Sequence, residues 1–234
     1  MGRAMATSSG TGRATITKAE SVLRSAGVGA KACEIEKGTV LFHQGDRAEA
    51  MYFLLQGRVR LTVTVPGGRE ATVTVLGAGD VFGERCLTPL AVRAHTACTL
   101  TRSSLIKVDA ATALVTMAKD VAVAKYILDR LVTRMNSYES TLVHHITNNS
   151  EQRLARVLLQ LAHYNGYAKS LKAVEGVSQA ILSEMVGTTR PRINSFMNKF
   201  RRLGWIDYFA SSIVVKPELV KVLLNEDSRL ETAD

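Results

Sequence analysis

The side chains best suited to contact a polyanion lie together in Gly187–Arg202, GTTRPRINSFMNKFRR, which contains no acidic residue. An arginine fork fits the O6 and N7 atoms of guanine, and both arginine and lysine bind phosphates. The segment therefore predicts contact with DNA bases and backbone. The alternative is an ordinary pair of helices with a solvated basic face. The basic residues are Arg190, Arg192, Lys199, Arg201 and Arg202.

A helix-turn-helix over Val177–Arg202 would position these side chains. Leu182, Val186, Ile193 and Phe196 are apolar at the spacing that two packed helices need. Gly187 falls at the turn between them, where a left-handed backbone is required. Thr188 or Thr189 can cap the second helix, and Pro191 falls in its first turn, where a missing N–H does no harm.

Length and composition suit a globular protein of two modest domains. The chain has 234 residues, 46% hydrophobic and 22% charged, with a formal net charge of +9 that favours a polyanionic partner. No run of about 18 apolar residues exists, so no membrane span is expected. The first residues lack the apolar core of a signal peptide. Three scattered cysteines without a CxxC motif are simplest as reduced thiols in a cytoplasm.

The first half of the chain is rich in predicted strands. In GRVRLTVTV, Val59, Leu61, Val63 and Val65 alternate with polar residues, as in a strand with one buried face. Pro66-Gly67-Gly68 then turns the chain into a second alternating segment, EATVTVLG, which predicts a hairpin. VLFHQG, MYFLLQG and SSLIKVD predict further short strands, so we expect a β-barrel or β-roll.

The segment GAGDVFGE, Gly77–Glu84, has the glycine spacing of a weak dinucleotide fingerprint. That fingerprint must open a long helix, yet Pro89 follows at once and strand-like residues resume by Thr96. We therefore expect a short helical turn at Phe82–Leu87 instead, with backbone N–H groups that could hold an anion.

A long helix with a heptad seam follows the strands. Its apolar residues recur at alternating steps of three and four, which is typical of a helix that pairs with a second copy. The alternative is a helix that covers the β-roll of its own chain. Asn148-Asn149 predicts a hinge, and residues 151–166 a further helix. The seam residues are Val121, Ala124, Leu128, Leu131, Met135, Tyr138, Leu142 and His145.

Three motifs in this order resemble the Crp–Fnr family of bacterial transcription regulators: the strands around FHQGD and LLQGRVRL, the cassette GAGDVFGE, and SEMVGTTRPRINSFMNKFRRLGWIDY. The resemblance covers Gly38–Leu224. It implies an α+β fold with a jelly-roll-like β-roll (a double-stranded β-helix) over 17–118, a dimerisation helix over 119–147 and a winged helix-turn-helix over 150–225. Residues 1–16 and 226–234 are expected to be tails.

The resemblance implies a homodimer that regulates transcription at a pseudo-palindromic site, with RNA polymerase as a further partner and no enzymatic activity. Arg190 lies where the family has its guanine-reading arginine, while Pro191 and Ser195 depart from the catabolite-activator pattern. The alternative is a cyclic-nucleotide-responsive module that acts on a protein partner. The expected DNA-contacting residues are Thr188, Thr189, Arg190, Pro191, Arg192, Asn194, Ser195 and Lys199.

A cyclic nucleotide is the ligand that the resemblance implies for the β-roll. Gly83 and Glu84 match the family's glycine–glutamate pair, but the arginine pair that follows aligns with His95-Thr96, so the phosphate-binding arginine is missing. Arg93 could reach the site only through a re-routed loop. Positions that touch adenine in the family hold Tyr138-Glu139. The candidate effector residues are Phe82, Gly83, Glu84, Arg85, Cys86, Arg93, His95, Thr96, Tyr138 and Glu139.

Other sensing chemistries have weaker support in the sequence. An iron–sulfur cluster needs a group of cysteines, and only Cys33 lies near the N-terminus. His43, His95 or Cys86 could ligate haem, and His144-His145 could bind metal or sense pH, although single residues of these kinds are more often structural. We therefore expect no metal. The sensor's ligand stays open between cyclic AMP or cyclic GMP, another small molecule, and none.

Overall fold

The computed structural model of the chain describes Leu23 and residues 32–162, 172–209 and 212–224. Contacts divide the chain into two units. The first contains the described residues up to Thr64 together with Val75–Met135, and the second contains Val65–Thr74 and the described residues from Asn136 onward. The predicted boundaries at 118 and 147 differ from this division, which falls within the long helix.

Eleven strands are described, eight of them before residue 110. They are β1 (Cys33–Ile35), β2 (Val40–Phe42), β3 (Ala50–Gln56), β4 (Val59–Thr64), β5 (Glu70–Leu76), β6 (Val81–Phe82), β7 (Thr96–Thr99), β8 (Ser103–Asp109), β9 (Lys172–Glu175), β10 (Ile206–Phe209) and β11 (Ser212–Val215).

Six α-helices are described after the β-rich region. They are α1 (Ala110–Lys119), α2 (Val121–Thr147), α3 (Ser150–Leu161), α4 (Gln179–Val186), α5 (Arg190–Arg202) and α6 (Lys221–Leu224). Short 3₁₀ turns cover Glu84–Leu87 and Pro217–Val220. Among the described residues, no helix has the length and apolarity to cross a membrane.

The first eight strands form two four-stranded sheets, which confirms the predicted β-roll. The strand orders are β1-β8-β3-β6 and β2-β7-β4-β5. Side chains from both sheets, among them Phe42, Leu54, Leu61 and Phe82, form one buried cluster. The alternating pattern of the strands therefore builds a shared core between two sheets.

The central strand β3 is buried on both of its faces. Met51 and Phe53 belong to a second cluster, which also contains Val123, Tyr126 and Ile127 from the start of α2. A strand covered on both faces is continuously apolar, which explains the unbroken run in MYFLLQ. The hydroxyl of Tyr126 donates to the carbonyl of Gly79 at 2.7 Å, so it is satisfied although the ring is buried.

The predicted strand over EATVTVLG is present as β5, but its threonine side chains are more buried than its valine side chains. Thr72 and Thr74 are buried, whereas Val73 and Val75 are only half-buried. Threonine is apolar enough through its methyl group to occupy an interior position when its hydroxyl finds a partner. An alternation of threonine and valine therefore does not reveal which face turns inward.

A well-capped helix follows α2 in the second unit. The Asn149 side chain accepts from the backbone N–H of Gln152, and the Gln152 side chain accepts from the N–H of Asn149, which is a capping box at the start of α3. A new helix therefore begins at residue 150, directly after the predicted hinge at Asn148-Asn149. Residues 163–166 of the predicted helix lie outside the described residues.

Candidate nucleic-acid interface and sensor cradle

Helices α4 and α5 form the predicted helix-turn-helix. The Ser178 side chain caps α4 by accepting from the N–H of Ile181. Gly187 ends α4 with φ +67°, which is the left-handed conformation expected there. Leu182, Val186 and Ile193 are fully buried, as their spacing predicts.

One member of the predicted apolar set is placed differently. Phe196 is half-buried, while Met197 and Phe200 complete the buried face of α5. Ile193, Met197 and Phe200 are spaced by four and three residues and therefore share one helix face. The spacing of Ile193, Met197 and Phe200 is also visible in the sequence, and it is a more regular helical pattern than the predicted one that included Phe196.

The opposite face of α5 is exposed and basic. Thr189 stands at the N-cap without a side-chain hydrogen bond to the helix, so the predicted hydroxyl cap is not formed. Thr188 is half-buried, and Pro191 lies in the first turn as predicted. The other expected DNA contacts are exposed: Thr189, Arg190, Pro191, Arg192, Asn194, Ser195 and Lys199.

Several of these exposed side chains already have partners within the second unit. Lys199 Nζ lies 2.7 Å from the Glu151 carboxylate, so much of its charge is balanced locally. Asn194 Oδ1 accepts from Gln179 Nε2 at 3.4 Å. Among the described residues, Arg190 has no carboxylate within ion-pair distance, which leaves its guanidinium available to a ligand.

Strands β9, β10 and β11 form a three-stranded antiparallel sheet with the order β10-β11-β9. Ile206 pairs with Val215 and Tyr208 with Ile213, which gives the predicted wing hairpin. The Arg201 guanidinium carbon lies 5.7 Å from the Tyr208 ring centroid, so the wing and the end of α5 are in contact.

The cassette turn forms in the first unit where it was expected. Gly83 has φ +80° and precedes the 3₁₀ turn Glu84–Leu87. A Cβ at Gly83 would lie 2.6 Å from Arg93 Nη1 and 3.1 Å from the carbonyl oxygen of Ala50. Backbone conformation and close packing therefore both require glycine here.

Arg93 lies buried beneath this turn, with 5% of its surface exposed. Its Nη1 and Nη2 atoms donate to the carbonyl oxygens of Gly83 and Ala50 at 2.9 and 2.8 Å. The guanidinium carbon also lies 4.1 Å from the Phe42 ring centroid. Arg93 therefore does reach the cassette, but it uses its donors to hold the backbone in place.

Glu84 forms an ion pair that the sequence analysis missed. Arg134 Nη2 lies 2.8 Å from Glu84 Oε1, and Arg134 Nη1 donates to the carbonyl of Val81 at 2.6 Å. Arg134 comes seven residues after the buried Ile127 on α2. This spacing places both residues on the same helix face and could have identified Arg134.

The remaining candidate effector residues provide little positive charge. Burial lowers the pKa of His95 below its usual value, so this imidazole is neutral at neutral pH. Thr96 Oγ1 accepts from the N–H of Gln44 at 3.0 Å. Cys86 is buried, and burial raises the pKa of its thiol. Phe82 is fully buried in the core, and Arg85 is exposed.

The last effector candidates, Tyr138 and Glu139, and the candidate metal ligands lie outside the cassette. Tyr138 and Glu139 lie on the part of α2 that belongs to the second unit. Within the described ranges, no three histidine, cysteine or carboxylate side chains are grouped as metal ligands. Gly83, Glu84 and Arg93 are brought together as the centre of the cassette, which we call the sensor cradle.

The predicted seam on α2 divides into exposed and packed residues. Leu128, Met135 and Leu142 are more than half exposed. Leu131 instead packs against the core cluster of the first unit, and Tyr138 is half-buried. Val121, Val132 and Ile146 are also exposed and extend the same face. We call this set the apolar stripe: Val121, Leu128, Val132, Met135, Leu142 and Ile146.

Two family models match the chain over the regions just described. The cyclic nucleotide-binding domain matches residues 32–120, and the Crp-like helix-turn-helix domain matches residues 152–218. The first interval contains the β-roll with its sensor cradle. The second contains α3, the helix-turn-helix and the wing.

Relatives match the chain over most of both sequences. The chain is 25% identical to a CRP-like cAMP-activated global transcriptional regulator of Mycobacterium tuberculosis, over 78% of this chain and 82% of that protein. It is 24% identical to the cyclic AMP receptor protein of Thermus thermophilus, over 77% and 81% of the two chains.

Among solved structures, FixK2 of Bradyrhizobium japonicum matches the fold with a TM-score of 0.68 at 20% identity. The match covers 80% of this chain and 92% of FixK2. Both domain matches, in this order and on this fold, therefore agree with the relatives. The chain belongs to the Crp–Fnr family of transcription regulators.

Proposed function

We propose that the chain acts as a homodimer that binds a pseudo-palindromic DNA site and regulates transcription there. The observation that carries this proposal is the exposed face of α5, which presents basic and amide side chains and no acidic one. A helix of this kind fits the major groove, where base edges differ in their donors and acceptors.

Arg190 and Lys199 have different roles in the proposed complex. Arg190 stands in the first turn of α5 without an acidic partner among the described residues, so we assign it to base reading. Lys199 lies near the C-terminal end of the helix, away from the first turn, so we assign it to the phosphate backbone, where its pairing with Glu151 should weaken the contact. Arg192, Asn194 and Ser195 fill the positions between them.

The apolar stripe supports the proposal of a homodimer. Its members recur along α2 at steps that match heptad positions, and each exposes a large hydrophobic side chain to solvent. Two parallel copies paired through the stripe would present two α5 helices to successive major grooves. These grooves are about 34 Å apart, which sets the expected spacing of the two half-sites.

Selection from random DNA tests this function directly. The full-length protein should enrich a two-fold symmetric motif, and binding to that motif should weaken steeply as salt rises. A matched protein with Arg190→Ala should enrich a motif that has lost its preference at one base pair in each half-site. Enrichment of no motif, or of single half-sites only, would contradict the proposal of a dimer on a palindrome.

For the sensor, we propose that the cradle is not a conventional cyclic nucleotide site. Two of the relatives are named for cyclic AMP, and the matched domain is a cyclic nucleotide-binding one. Against this, Glu84 is held by Arg134, and Nη1 and Nη2 of Arg93 donate to backbone carbonyls. The neutral His95 offers no cation to a cyclic phosphate.

Isothermal titration with cyclic AMP, cyclic GMP and cyclic di-GMP tests the proposal for the sensor. We expect no saturable binding in the micromolar range for the native protein. Micromolar binding that is lost in Glu84→Gln would show that a nucleotide displaces Arg134 from the carboxylate and would overturn the proposal. This measurement needs no DNA, so it is independent of the selection experiment.

A further inference from the structure

The second unit contains a cavity of about 400 Å³ that none of the functions above uses. Its walls come from the C-terminal half of α2, from α3, and from the Met185 and Val220 regions. This volume lies within the range of pockets that hold small organic molecules. We call it the hinge pocket, because it adjoins the junction of α2 and α3.

Two nitrogen atoms at the hinge pocket are buried and have no hydrogen-bond partner among the residues that the structure describes. They are His144 Nδ1 and Arg156 Nε. Buried polar atoms are nearly always paired, and each unpaired one costs free energy. Two of them on side chains that line one cavity indicate that the cavity receives a molecule that accepts hydrogen bonds.

The charges that line the hinge pocket indicate which kind of hydrogen-bond acceptor the pocket would bind. Arg153 and Arg156 line it, and none of its described lining residues is acidic. Arg153 is already occupied, since it donates to the carbonyls of Val186 and Asn148. None of the described residues accepts a hydrogen bond from Arg156 Nε, and burial lowers the pKa of Arg156 below its usual value. Arg156 is therefore the available cation of the pocket.

Neighbouring groups favour an anion over a neutral acceptor. Burial and the charge of Arg156 lower the pKa of His144, so this imidazole is neutral and can donate from Nδ1. The Ser140 hydroxyl also lines the cavity. A carboxylate could accept from Arg156 and His144 together, in the charge-assisted geometry that gives the strongest hydrogen bonds.

Apolar side chains also line the hinge pocket. They are Val157, Leu159, Met185, Val220 and Leu223. Methionine adapts its shape to irregular ligands, and aliphatic side chains favour a hydrocarbon or aromatic group. The pocket therefore matches a molecule with an anionic end and an apolar body.

The hinge pocket is compatible with the proposed dimer. Successive residues turn by about 100° around an α-helix, so Ser137, Thr141 and His144 lie on nearly the opposite face from Met135 and Leu142. The stripe and these three pocket residues therefore use different faces of α2, although His145, which also lines the pocket, belongs to the predicted seam.

From these contacts we infer that the hinge pocket binds a small organic carboxylate with an apolar body, held by Arg156 and His144. The site is separate from the sensor cradle and belongs to the unit that carries the DNA-binding helices. A ligand in the hinge pocket contacts both α2 and α3. It therefore stabilises the arrangement of the α2–α3 junction to which it binds more tightly.

Titration of the full-length protein with matched probes tests this inference. Benzoate and phenylacetate carry the anion, and benzamide and phenylacetamide are their uncharged counterparts. We expect the carboxylates to bind at least about tenfold more tightly than the amides. Arg156→Gln should lower carboxylate affinity by about tenfold or more, whereas Lys221→Gln, which removes an exposed cation on α6 outside the pocket, should leave it unchanged.

A second variant protects the test against loss of folding. Ser140→Trp adds an indole at an exposed residue of the pocket lining and keeps Arg156, and it should abolish carboxylate binding while the thermal melt is retained. The inference is overturned if neither carboxylate binds saturably, if amides bind equally well, or if Lys221→Gln and Arg156→Gln lose the same affinity. No DNA is present, so these outcomes are distinct from any failure of DNA recognition.

Discussion

The Glu84 carboxylate and the Arg134 guanidinium are joined at 2.8 Å, with 32% and 13% of the two side chains exposed. Arg134 also donates to the carbonyl of Val81, so one side chain on α2 fixes both sides of the cassette turn. The family resemblance places Glu84 among the candidate effector residues. A ligand that used Glu84 would therefore have to compete with Arg134 for the same carboxylate.

Replacing Arg134 with Gln should destabilise the first unit by about 1–3 kcal/mol. This range lies between the small value of an exposed ion pair and the larger cost of leaving one buried charge unpaired. Urea denaturation of the native and variant proteins measures the difference. Lys125→Gln removes an exposed charge from the same helix and should change the free energy of unfolding little.

A double-mutant cycle then isolates the ion pair itself. Combined with Glu84→Gln, the Arg134→Gln change should cost less than it does in the native background, because its charged partner is already gone. Strict additivity of the two changes would show that the pair contributes no coupling energy and that Arg134 acts only through the Val81 carbonyl.

Periodicity in the sequence predicted the order of elements well. Local patterns with periods of two or 3.6 residues predicted the strands, the long helix and the helix-turn-helix, and these elements are present in the structure. The left-handed Gly187 was predictable for the same reason, since the turn between two short helices leaves little choice of backbone conformation.

Pairing between distant residues was not predictable in this way. Arg93 lies 43 residues from Ala50, whose carbonyl it contacts, and Arg134 lies 53 residues from Val81. Such contacts depend on how the strands and α2 pack together, which a local pattern does not encode. The same reason explains Leu131, which fits a heptad by spacing yet packs against the core of the first unit.

The stability of the protein should fall as the pH drops below about 6.5, in part because of His95. Burial lowers the pKa of His95, so between the folded and unfolded pKa values the unfolded chain binds more protons at this position. Protonation therefore favours unfolding in that window. His144 has a shift in the same direction and should add to the effect.

Urea denaturation at several pH values on both sides of this window measures the contribution of His95. In His95→Gln, the free energy of unfolding should depend less on pH than in the native protein. A difference between the two proteins that stays constant across the range would mean that the pKa of His95 is the same in both states.

Substitutions on α2 should distinguish dimer contacts from core contacts. Leu128 is 54% exposed on the apolar stripe, so Leu128→Glu should yield a folded monomer. Leu131 packs against the core cluster, so Leu131→Glu should lower the melting temperature strongly instead. Light scattering after gel filtration reports the mass, and circular dichroism reports the melt. A dimeric Leu128→Glu protein would contradict pairing through the stripe.

Arg190→Ala should reduce specific DNA binding by about 1–3 kcal/mol, because in the proposed complex the exposed guanidinium contacts one guanine in each half-site. Arg202→Ala provides the matched comparison. Arg202 is an exposed cation at the end of the same helix, and we expect its loss to weaken cognate and random DNA alike. Fluorescence anisotropy on both DNAs, over a range of salt concentrations, separates the two effects. Equal losses on cognate and random DNA for Arg190→Ala would reassign Arg190 to the phosphate backbone.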